Sequence, residues 1–381
     1  MRKYPHSKAT NDEWVYPLSE CTGSGVIQTQ DNPPLAQPHT IAWKEYGNPK
    51  GEPIIYLHGG PGDSVTDAPN LSRFFNPKRY RIIMYDQRGG GANTPNARDA
   101  DPMPAYINNT TDHLIADIIL LRQERGITGK THIFGGSWGT TLALAYAIKH
   151  PDTVANLILR GIFLCRRKDL DYFYQGNAAL YEKSPYDSSL PGAYLFYPEA
   201  WKNFVEIIPP AERGDMIKAY ARIFAEKPTT EAIRARRIEA AAAWSVWECA
   251  TSYISQDLSN LANYANPDFA LVFAGIENHY FMNGGFLGGG GESNRDNNYI
   301  CDNVAALRNI PMHIVHGRYD QVCPAYMADE LVAAMAREGF APTTFHRTPC
   351  GHAMKERETL LALTDILDNL PPMSEDSQRA A

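Results

Sequence analysis

Residues 131–147 read Thr-His-Ile-Phe-Gly-Gly-Ser-Trp-Gly-Thr-Thr-Leu-Ala-Leu-Ala-Tyr-Ala, and this stretch decides the fold. Strand-forming residues run into a G-x-S-x-G pentapeptide, and leucines and alanines follow, which predicts a strand, a sharp turn and a helix. The serine backbone in such a turn is strained and needs small neighbours, which Gly135 and Gly139 supply. The turn raises the Ser137 hydroxyl above the sheet beside a helix N-terminus. The sequence therefore predicts a nucleophile and part of an oxyanion hole.

Apolar runs on both sides of this stretch predict further strands. Residues 53–57, 80–85 and 154–159 are largely apolar, which is typical of strands that are buried on both faces. They alternate with helical patterns through short links, so we expect a mostly parallel sheet with right-handed crossovers. Residues 39–46 alternate apolar and polar side chains and predict an antiparallel edge hairpin. The predicted fold class is α/β, with a central sheet flanked by helices.

The 381 residues divide by composition into a core, an insertion and two tails. Residues 36–164 and 309–370 carry the strand and helix alternation and are assigned to the catalytic α/β domain. Between them, residues 165–308 are rich in aromatic side chains and helical periodicity, which predicts an inserted helical cap. Residues 1–35, with a possible short strand, are assigned to an N-terminal tail. Residues 371–381 are assigned to a polar C-terminal tail that we expect to be disordered.

Composition excludes several classes of partner. The formal net charge is −7 and no run of Lys and Arg could follow a phosphate backbone, so we expect no nucleic acid. No apolar stretch reaches membrane-spanning length and the first residues lack an apolar signal core, so we expect no membrane partner and no cleaved signal. Six scattered cysteines without a C-x-x-C pair indicate free thiols in the cytoplasm. No metal-ligand spacing occurs among the eleven histidines, so we expect neither metal nor cofactor; the oligomeric state stays open.

Two loops after later strands offer partners for Ser137. Residues 317–320 contain Asp320, and residues 349–352 contain His352. The order Ser, Asp, His is the chain order of the triad in α/β-hydrolases, and each residue is expected at the carboxyl end of a strand. The carboxylate would orient the imidazole, and the imidazole would accept the serine proton. We therefore predict an α/β-hydrolase fold with these three residues as its catalytic triad.

Two backbone N–H groups are expected to form the oxyanion hole. One belongs to Trp138, which follows the nucleophile. The other belongs to Gly60 in the loop His-Gly-Gly-Pro-Gly at 58–62, because α/β-hydrolases place the second donor in the loop after this strand.

Seven short motifs carry a resemblance to a known family. They are His58-Gly59-Gly60-Pro61-Gly62, Asp86-Gln87-Arg88-Gly89, Asn109-Thr110-Thr111, Gly135-Gly136-Ser137-Trp138-Gly139, Leu159-Arg160-Gly161-Ile162-Phe163, Trp244-Ser245-Val246-Trp247-Glu248 and Glu277-Asn278-His279-Tyr280-Phe281. Together they resemble the prolyl aminopeptidases, also called proline iminopeptidases, over about residues 35–370. The resemblance implies a serine peptidase with a cap. It also implies that Glu248 and Glu277 bind the amino terminus of the substrate and that Phe163 lines the proline pocket.

An N-terminal proline suits a pair of carboxylates. Its protonated secondary amine has two N–H donors, and two carboxylates provide the acceptors. Burying two carboxylates together raises the pKa of one of them unless a cation is present, so the pocket is expected to attract that cation. We expect small peptides with N-terminal proline as substrates, cleaved through an acyl-enzyme on Ser137.

Two segments depart from the family pattern. Residues 89–93 read Gly-Gly-Gly-Ala-Asn where a small, a basic and a serine residue are expected, and residues 175–230 lengthen the cap relative to compact bacterial members. Two alternatives stay open because a fold and a triad do not fix the substrate. The first is an esterase or an aminopeptidase of broader specificity on the same fold. The second is a non-catalytic ligand-binding receptor that keeps the hydrolase fold.

Overall fold

A computed structural model describes residues 15–31, 35–255, 258–291 and 295–374. Residues 1–14 of the predicted N-terminal tail and residues 375–381 of the predicted C-terminal tail lie outside these ranges. Eight strands form one sheet in the order β1-β2-β4-β3-β5-β6-β7-β8. The strands are β1 (Cys21–Gln28), β2 (Thr40–Gly47), β3 (Glu52–Leu57), β4 (Tyr80–Tyr85), β5 (Thr131–Gly136), β6 (Val154–Arg160), β7 (Met312–Gly317) and β8 (Thr344–Thr348).

The sheet is mostly parallel. Strand β2 pairs antiparallel with β1 and β4, and the other pairs, from β4 through β8, are parallel. Strand β2 confirms the predicted antiparallel pairing but lies between β1 and β4, so the edge strand is β1. Strand β1 lies within the segment assigned to the N-terminal tail. That assignment is corrected here, because residues 21–28 belong to the sheet. Most side chains of β1 are exposed, and the strand is held by its backbone pairing with β2.

Eleven helices accompany the sheet in the described ranges. They are α1 (Thr111–Glu124), α2 (Trp138–Lys149), α3 (Arg167–Leu170), α4 (Pro198–Val205), α5 (Met216–Ala225), α6 (Glu231–Ser252), α7 (Leu258–Tyr264), α8 (Pro267–Met282), α9 (Tyr299–Asp302), α10 (Tyr326–Arg337) and α11 (Arg357–Asn369). Helices α3 to α9 all lie between β6 and β7, where the sequence predicts a helical insertion.

The central strands are buried on both faces because their side chains alternate between two cores. Ile55 and Leu57 of β3 belong to one core with residues of α1 and α2. Ile54 and Tyr56 belong to a second core with residues of α11. This arrangement confirms the predicted α/β fold with helices on both sides of the sheet.

The strand register brings the ends of four strands to one edge. Leu57 lies opposite Gly135, Gly136 opposite Arg160, and Arg160 opposite Val315. The loops that follow β3, β5, β6 and β7 therefore leave the sheet side by side. Ligands of open α/β sheets bind at this edge.

Candidate active site

The turn after β5 has the geometry that the pentapeptide predicts. Ser137 has φ 57° and ψ −127°, which a residue with a side chain rarely adopts. A Cβ on Gly135 would lie 2.4 Å from the Gly139 carbonyl oxygen, and a Cβ on Gly139 would lie 2.2 Å from the Leu57 carbonyl oxygen. Both positions therefore need glycine, because the turn packs against the end of β3.

Asp320 and His352 are hydrogen-bonded partners. His352 Nδ1 lies 2.8 Å from Asp320 Oδ2, and both side chains are nearly inaccessible to solvent. Asp320 Oδ1 accepts hydrogen bonds from the backbone N–H groups of Val322 at 3.0 Å and Cys323 at 2.7 Å. Burial acts to raise the pKa of Asp320, but the charge of His352 and these hydrogen bonds outweigh it and lower the pKa. The carboxylate is held ionised and aimed at the imidazole.

Arg160 contacts both the nucleophile turn and the imidazole. Its backbone carbonyl accepts a hydrogen bond from Ser137 N at 2.9 Å. Its guanidinium Nη1 donates to His352 Nε2 at 3.1 Å and to the His352 carbonyl at 2.9 Å. Since a guanidinium only donates, Nε2 is the acceptor and the imidazole proton is on Nδ1. His352 therefore carries its basic lone pair on Nε2, the nitrogen that a serine hydroxyl would use.

One cavity collects five of the residues that the sequence singled out. Ser137, Gly60, Phe163, Glu248 and Glu277 all line it. The rest of its wall is mainly apolar and comes from the segment after β6, from α8 and from the loop after β7. Those residues are Asp169, Leu170, Phe173, Tyr174, Phe281, Val322 and Cys323.

The two predicted oxyanion donors flank Ser137. Trp138 is the first residue of α2, where backbone N–H groups have no partner within the helix. The loop that contains Gly60 packs against the turn, since a Cβ on Gly59 would lie 3.4 Å from the Ser137 Cβ. An anion formed beside Ser137 would therefore face backbone N–H groups and a helix N-terminus.

Glu248 on α6 and Glu277 on α8 bring two carboxylates into the cavity. Tyr174 donates its hydroxyl to Glu248 Oε1, and Trp244 Nε1 donates to Glu277 Oε2 at 2.6 Å. Burial raises the pKa of Glu248 to about 8. Burial, and next the charge of Glu248, raise the pKa of Glu277 well above its ordinary value. The pair is costly to ionise fully and suits a cationic ligand.

The loop after β4 is hydrogen-bonded to two other loops of the site. Gln87 N donates to His58 Nε2 at 2.9 Å, and Gln87 Nε2 donates to the His58 carbonyl at 3.0 Å. The Gln87 Oε1 atom accepts from Trp138 Nε1 at 2.9 Å. In the 89–93 segment, Asn93 Nδ2 donates to the carbonyls of Asp86 and Gln87. Asn93, in the segment that departs from the family pattern, thus fixes the backbone of Gln87. Gln87 in turn joins the Gly60 loop to the turn that carries Ser137.

Three contributors to the site were not assigned a role from sequence. Tyr174 and Arg160 contact Glu248 and His352 across 74 and 192 residues of chain. Trp244 could be noticed beside Glu248 in the motif, but the sequence does not tell that its indole N–H reaches Glu277. No local pattern signals these partners, because each depends on how the cap folds over the sheet.

Metal binding and membrane insertion find no support in the described ranges. Within residues 15–31, 35–255, 258–291 and 295–374, no group of three or more His, Cys, Asp or Glu side chains could hold a metal ion. In the same part of the chain, each helix is too short or too polar to cross a bilayer.

Comparison with known proteins places this geometry in a family. A family model described as the alpha/beta hydrolase fold matches residues 52–206. The proline iminopeptidase of Xylella fastidiosa strain 9a5c is 40% identical over 356 residues, which cover 93% of this chain and 98% of that protein. The proline iminopeptidase of Arabidopsis thaliana is 39% identical over 330 residues, 86% of this chain and 76% of that protein.

A solved structure supports the fold independently. A probable hydrolytic enzyme of Pseudomonas aeruginosa PAO1 superposes with a TM-score of 0.55 at 16% identity, covering 94% of this chain and 96% of that one. At this identity the likeness concerns the fold alone. The full-length similarity to the named relatives carries the family assignment, and the resemblance that the motifs indicated is confirmed. The chain belongs to the proline iminopeptidase family.

Proposed function

We propose that this protein is a serine exopeptidase that releases N-terminal proline from small peptides through an acyl-enzyme on Ser137. One observation carries the proposal: the strained serine and the two carboxylates of Glu248 and Glu277 line the same cavity. The serine supplies the chemistry, and the carboxylates supply acceptors for a protonated imino nitrogen. The family's named relatives are proline iminopeptidases, which supports the same substrate.

The proposed mechanism is acyl transfer. His352 Nε2 first gives up its hydrogen bond with Arg160 and accepts one from the Ser137 hydroxyl. It then takes the hydroxyl proton as the Ser137 oxygen attacks the prolyl carbonyl carbon. The backbone N–H groups of Trp138 and Gly60 stabilise the oxyanion. The carbon–nitrogen bond then breaks, and the imidazolium returns its proton to the leaving amine. Water repeats these steps on the ester and releases proline.

The selectivity is proposed to come from the wall opposite Ser137. Glu248 and Glu277 hold the imino nitrogen, while Phe163 lies against Phe281 with ring centroids 5.7 Å apart and provides an apolar surface for the pyrrolidine ring. Because the carboxylates close the pocket behind the nitrogen, one residue fits before the scissile bond. This makes the enzyme an aminopeptidase.

We also propose how the chain is divided and where it works. Residues 36–164 and 309–370, together with β1, form the catalytic unit, and residues 165–308 form the cap. Six free cysteines, five of them buried, support a reducing compartment such as the cytoplasm.

The first test removes the nucleophile. Ser137→Ala should lower the turnover of prolyl naphthylamide by about 10⁵- to 10⁶-fold, because a triad acts as a unit. A fluorophosphonate probe should label the wild-type protein and not the variant. Activity that survives in the variant would contradict the triad, and an unlabelled wild type would favour a non-catalytic receptor.

The second test separates amine recognition from chemistry. Glu248→Gln and Glu277→Gln should each raise KM for prolyl naphthylamide by at least about ten-fold, since each removes a charge-assisted hydrogen bond. Hydrolysis of phenyl acetate, which has no amine, should change by less than about two-fold. Equal losses on both substrates would assign the glutamates a structural role, and a preference for esters in the wild type would favour the esterase alternative.

A further inference from the structure

The loop that carries His352 docks on the end of cap helix α6. His352 N and Ala353 N both donate to the carbonyl oxygen of Ser252, at 3.0 and 2.9 Å. Ser252 is the last residue of α6, and the final carbonyls of a helix have no partner within it. The loop of the imidazole therefore supplies hydrogen bonds that complete the cap helix.

A single carboxylate strengthens this junction. Glu356 Oε2 accepts a hydrogen bond from Gly351 N at 2.5 Å, and Glu356 Oε1 accepts one from Ile254 N at 3.0 Å. Gly351 immediately precedes His352, and Ile254 follows α6 by two residues. The side chain thus joins the imidazole loop to the chain that leaves α6. We refer to these two hydrogen bonds as the Glu356 bridge.

The same helix end is tied to the amine pocket. Ser252 Oγ donates to the Glu248 carbonyl at 2.7 Å, one turn earlier on α6. The Glu248 carboxylate lines the cavity with Ser137. Glu248 and His352 are therefore connected through one turn of α6, the two backbone hydrogen bonds to the Ser252 carbonyl and the Glu356 bridge.

We propose that Glu356 is a positioning residue: its bridge fixes the His352 loop to the end of α6, so that the imidazole and the amine-binding carboxylate of Glu248 keep one relative position. The inference rests on the proposed function and adds to it a residue that touches neither the substrate nor the reacting atoms. A general base must lie within hydrogen-bond reach of its proton, and a displacement of about 1 Å can cost about 100-fold in rate.

The charge of Glu356 gives the proposal a second readout. The groups that face its carboxylate are Asp320, His352 and, from the cap, Tyr197. A carboxylate near His352 favours the imidazolium, so removing that charge should move the acid limb of kcat/KM for phenyl acetate, a substrate without an amine, to lower pH. Shortening the side chain while keeping its charge should leave the acid limb of the pH profile unchanged.

Two variants separate reach from charge. Glu356→Gln keeps the length but loses the charge and one acceptor oxygen, whereas Glu356→Asp keeps the charge but is one methylene too short to span both N–H groups. Glu124→Gln, the same substitution at an exposed position at the end of α1, is the matched control. Each protein is assayed for kcat and KM on prolyl naphthylamide and phenyl acetate, for the rate of fluorophosphonate labelling, and for its thermal unfolding midpoint.

Both Glu356 variants should lose at least about ten-fold in kcat on both substrates and in labelling rate, while KM for the amide changes by less than about two-fold. The acid limb of kcat/KM for phenyl acetate should move to lower pH in Glu356→Gln alone, and the control should match the wild type. Wild-type labelling rates in the variants would overturn the proposal, as would failure of both variants to fold while the control folds. A wild type that is labelled but does not cleave the prolyl amide would contradict the proposed substrate and leave the labelling test of Glu356 intact.

Discussion

In the proposed amine site, Glu248 and Glu277 are expected to set the pH dependence of substrate binding. In the described part of the chain, their side-chain hydrogen bonds come from Tyr174 and Trp244, and neither forms an ion pair with a basic side chain. Burial raises the pKa of Glu248 to about 8, and burial together with the charge of Glu248 raises the pKa of Glu277 well above its ordinary value. A carboxyl group with a raised pKa is ionised only at higher pH, while the substrate amine is protonated only at lower pH. Binding therefore needs an overlap of the two.

We expect KM for prolyl naphthylamide to be lowest near pH 8 and to rise on both sides. Below that pH the Glu248 carboxylate takes up a proton, and above it the substrate amine, with an ordinary pKa of about 8, loses its charge. The measurement is KM at pH values from about 5.5 to about 10, the range in which these groups titrate. Phenyl acetate is the neutral control. A KM that follows the same curve for both substrates would contradict the prediction.

At the scale of single elements, the turn between β5 and α2 depends on glycine for space. The position of a Cβ on Gly139, 2.2 Å from the Leu57 carbonyl, overlaps a backbone atom that cannot move without displacing β3. Close packing of this turn on the sheet is what sets the direction of Ser137.

Gly139→Ala should therefore lower the free energy of unfolding by about 3 kcal/mol or more, as overpacking of a rigid site does. Gly214→Ala is the control, because a Cβ there would meet no atom within 4 Å. Urea unfolding followed by circular dichroism measures both variants. Equal midpoints for Gly139→Ala and the wild type would show that the turn has room that the structure does not reveal.

The same elements show what sequence could and could not predict. The turn at Ser137, the strands and the pairing of Asp320 with His352 were predictable, because each rests on a short local pattern or on chain order. Strand β1 was assigned to a tail, since its stability comes from backbone pairing at the sheet edge and only one of its side chains is buried. Glu248 and Glu277 were reached through family resemblance alone. Tyr174 and Arg160 were not identified, because their contacts depend on tertiary packing across 74 and 192 residues.

At the scale of the whole molecule, Arg88 joins three separate parts of the chain. Its guanidinium binds Asp117 of α1 through two hydrogen bonds of 2.6 and 2.7 Å. It also binds Asp31, which precedes β2, and the Asn108 carbonyl, each at 2.7 Å. Arg88 and both acidic side chains are at most 3% exposed. This buried network fixes α1 and the N-terminal segment to the loop that supports the active site.

Removing Asp117 should be costly because it takes away one of the two carboxylates of a buried ion-pair network and leaves Nε and Nη2 of Arg88 without an acceptor. Asp117→Ala should lower the free energy of unfolding by about 3–5 kcal/mol. Asp112→Ala, on the same helix, breaks the exposed pair with Lys149 and should cost about 1 kcal/mol or less. Urea unfolding of the two variants compares them directly, and similar losses would mean that the buried network contributes no more than a surface pair.

The contact between the His352 loop and the end of α6 also limits how this enzyme can be assembled from parts. The proposed cap, residues 165–308, is a single insertion between β6 and β7, which makes it a natural unit to transplant into another α/β-hydrolase. Moved alone, however, its 22-residue helix α6 would arrive without the backbone donors of residues 352 and 353 and without Glu356. A graft of proline selectivity therefore needs two pieces of chain, the cap and the segment 349–356, exchanged as a matched pair.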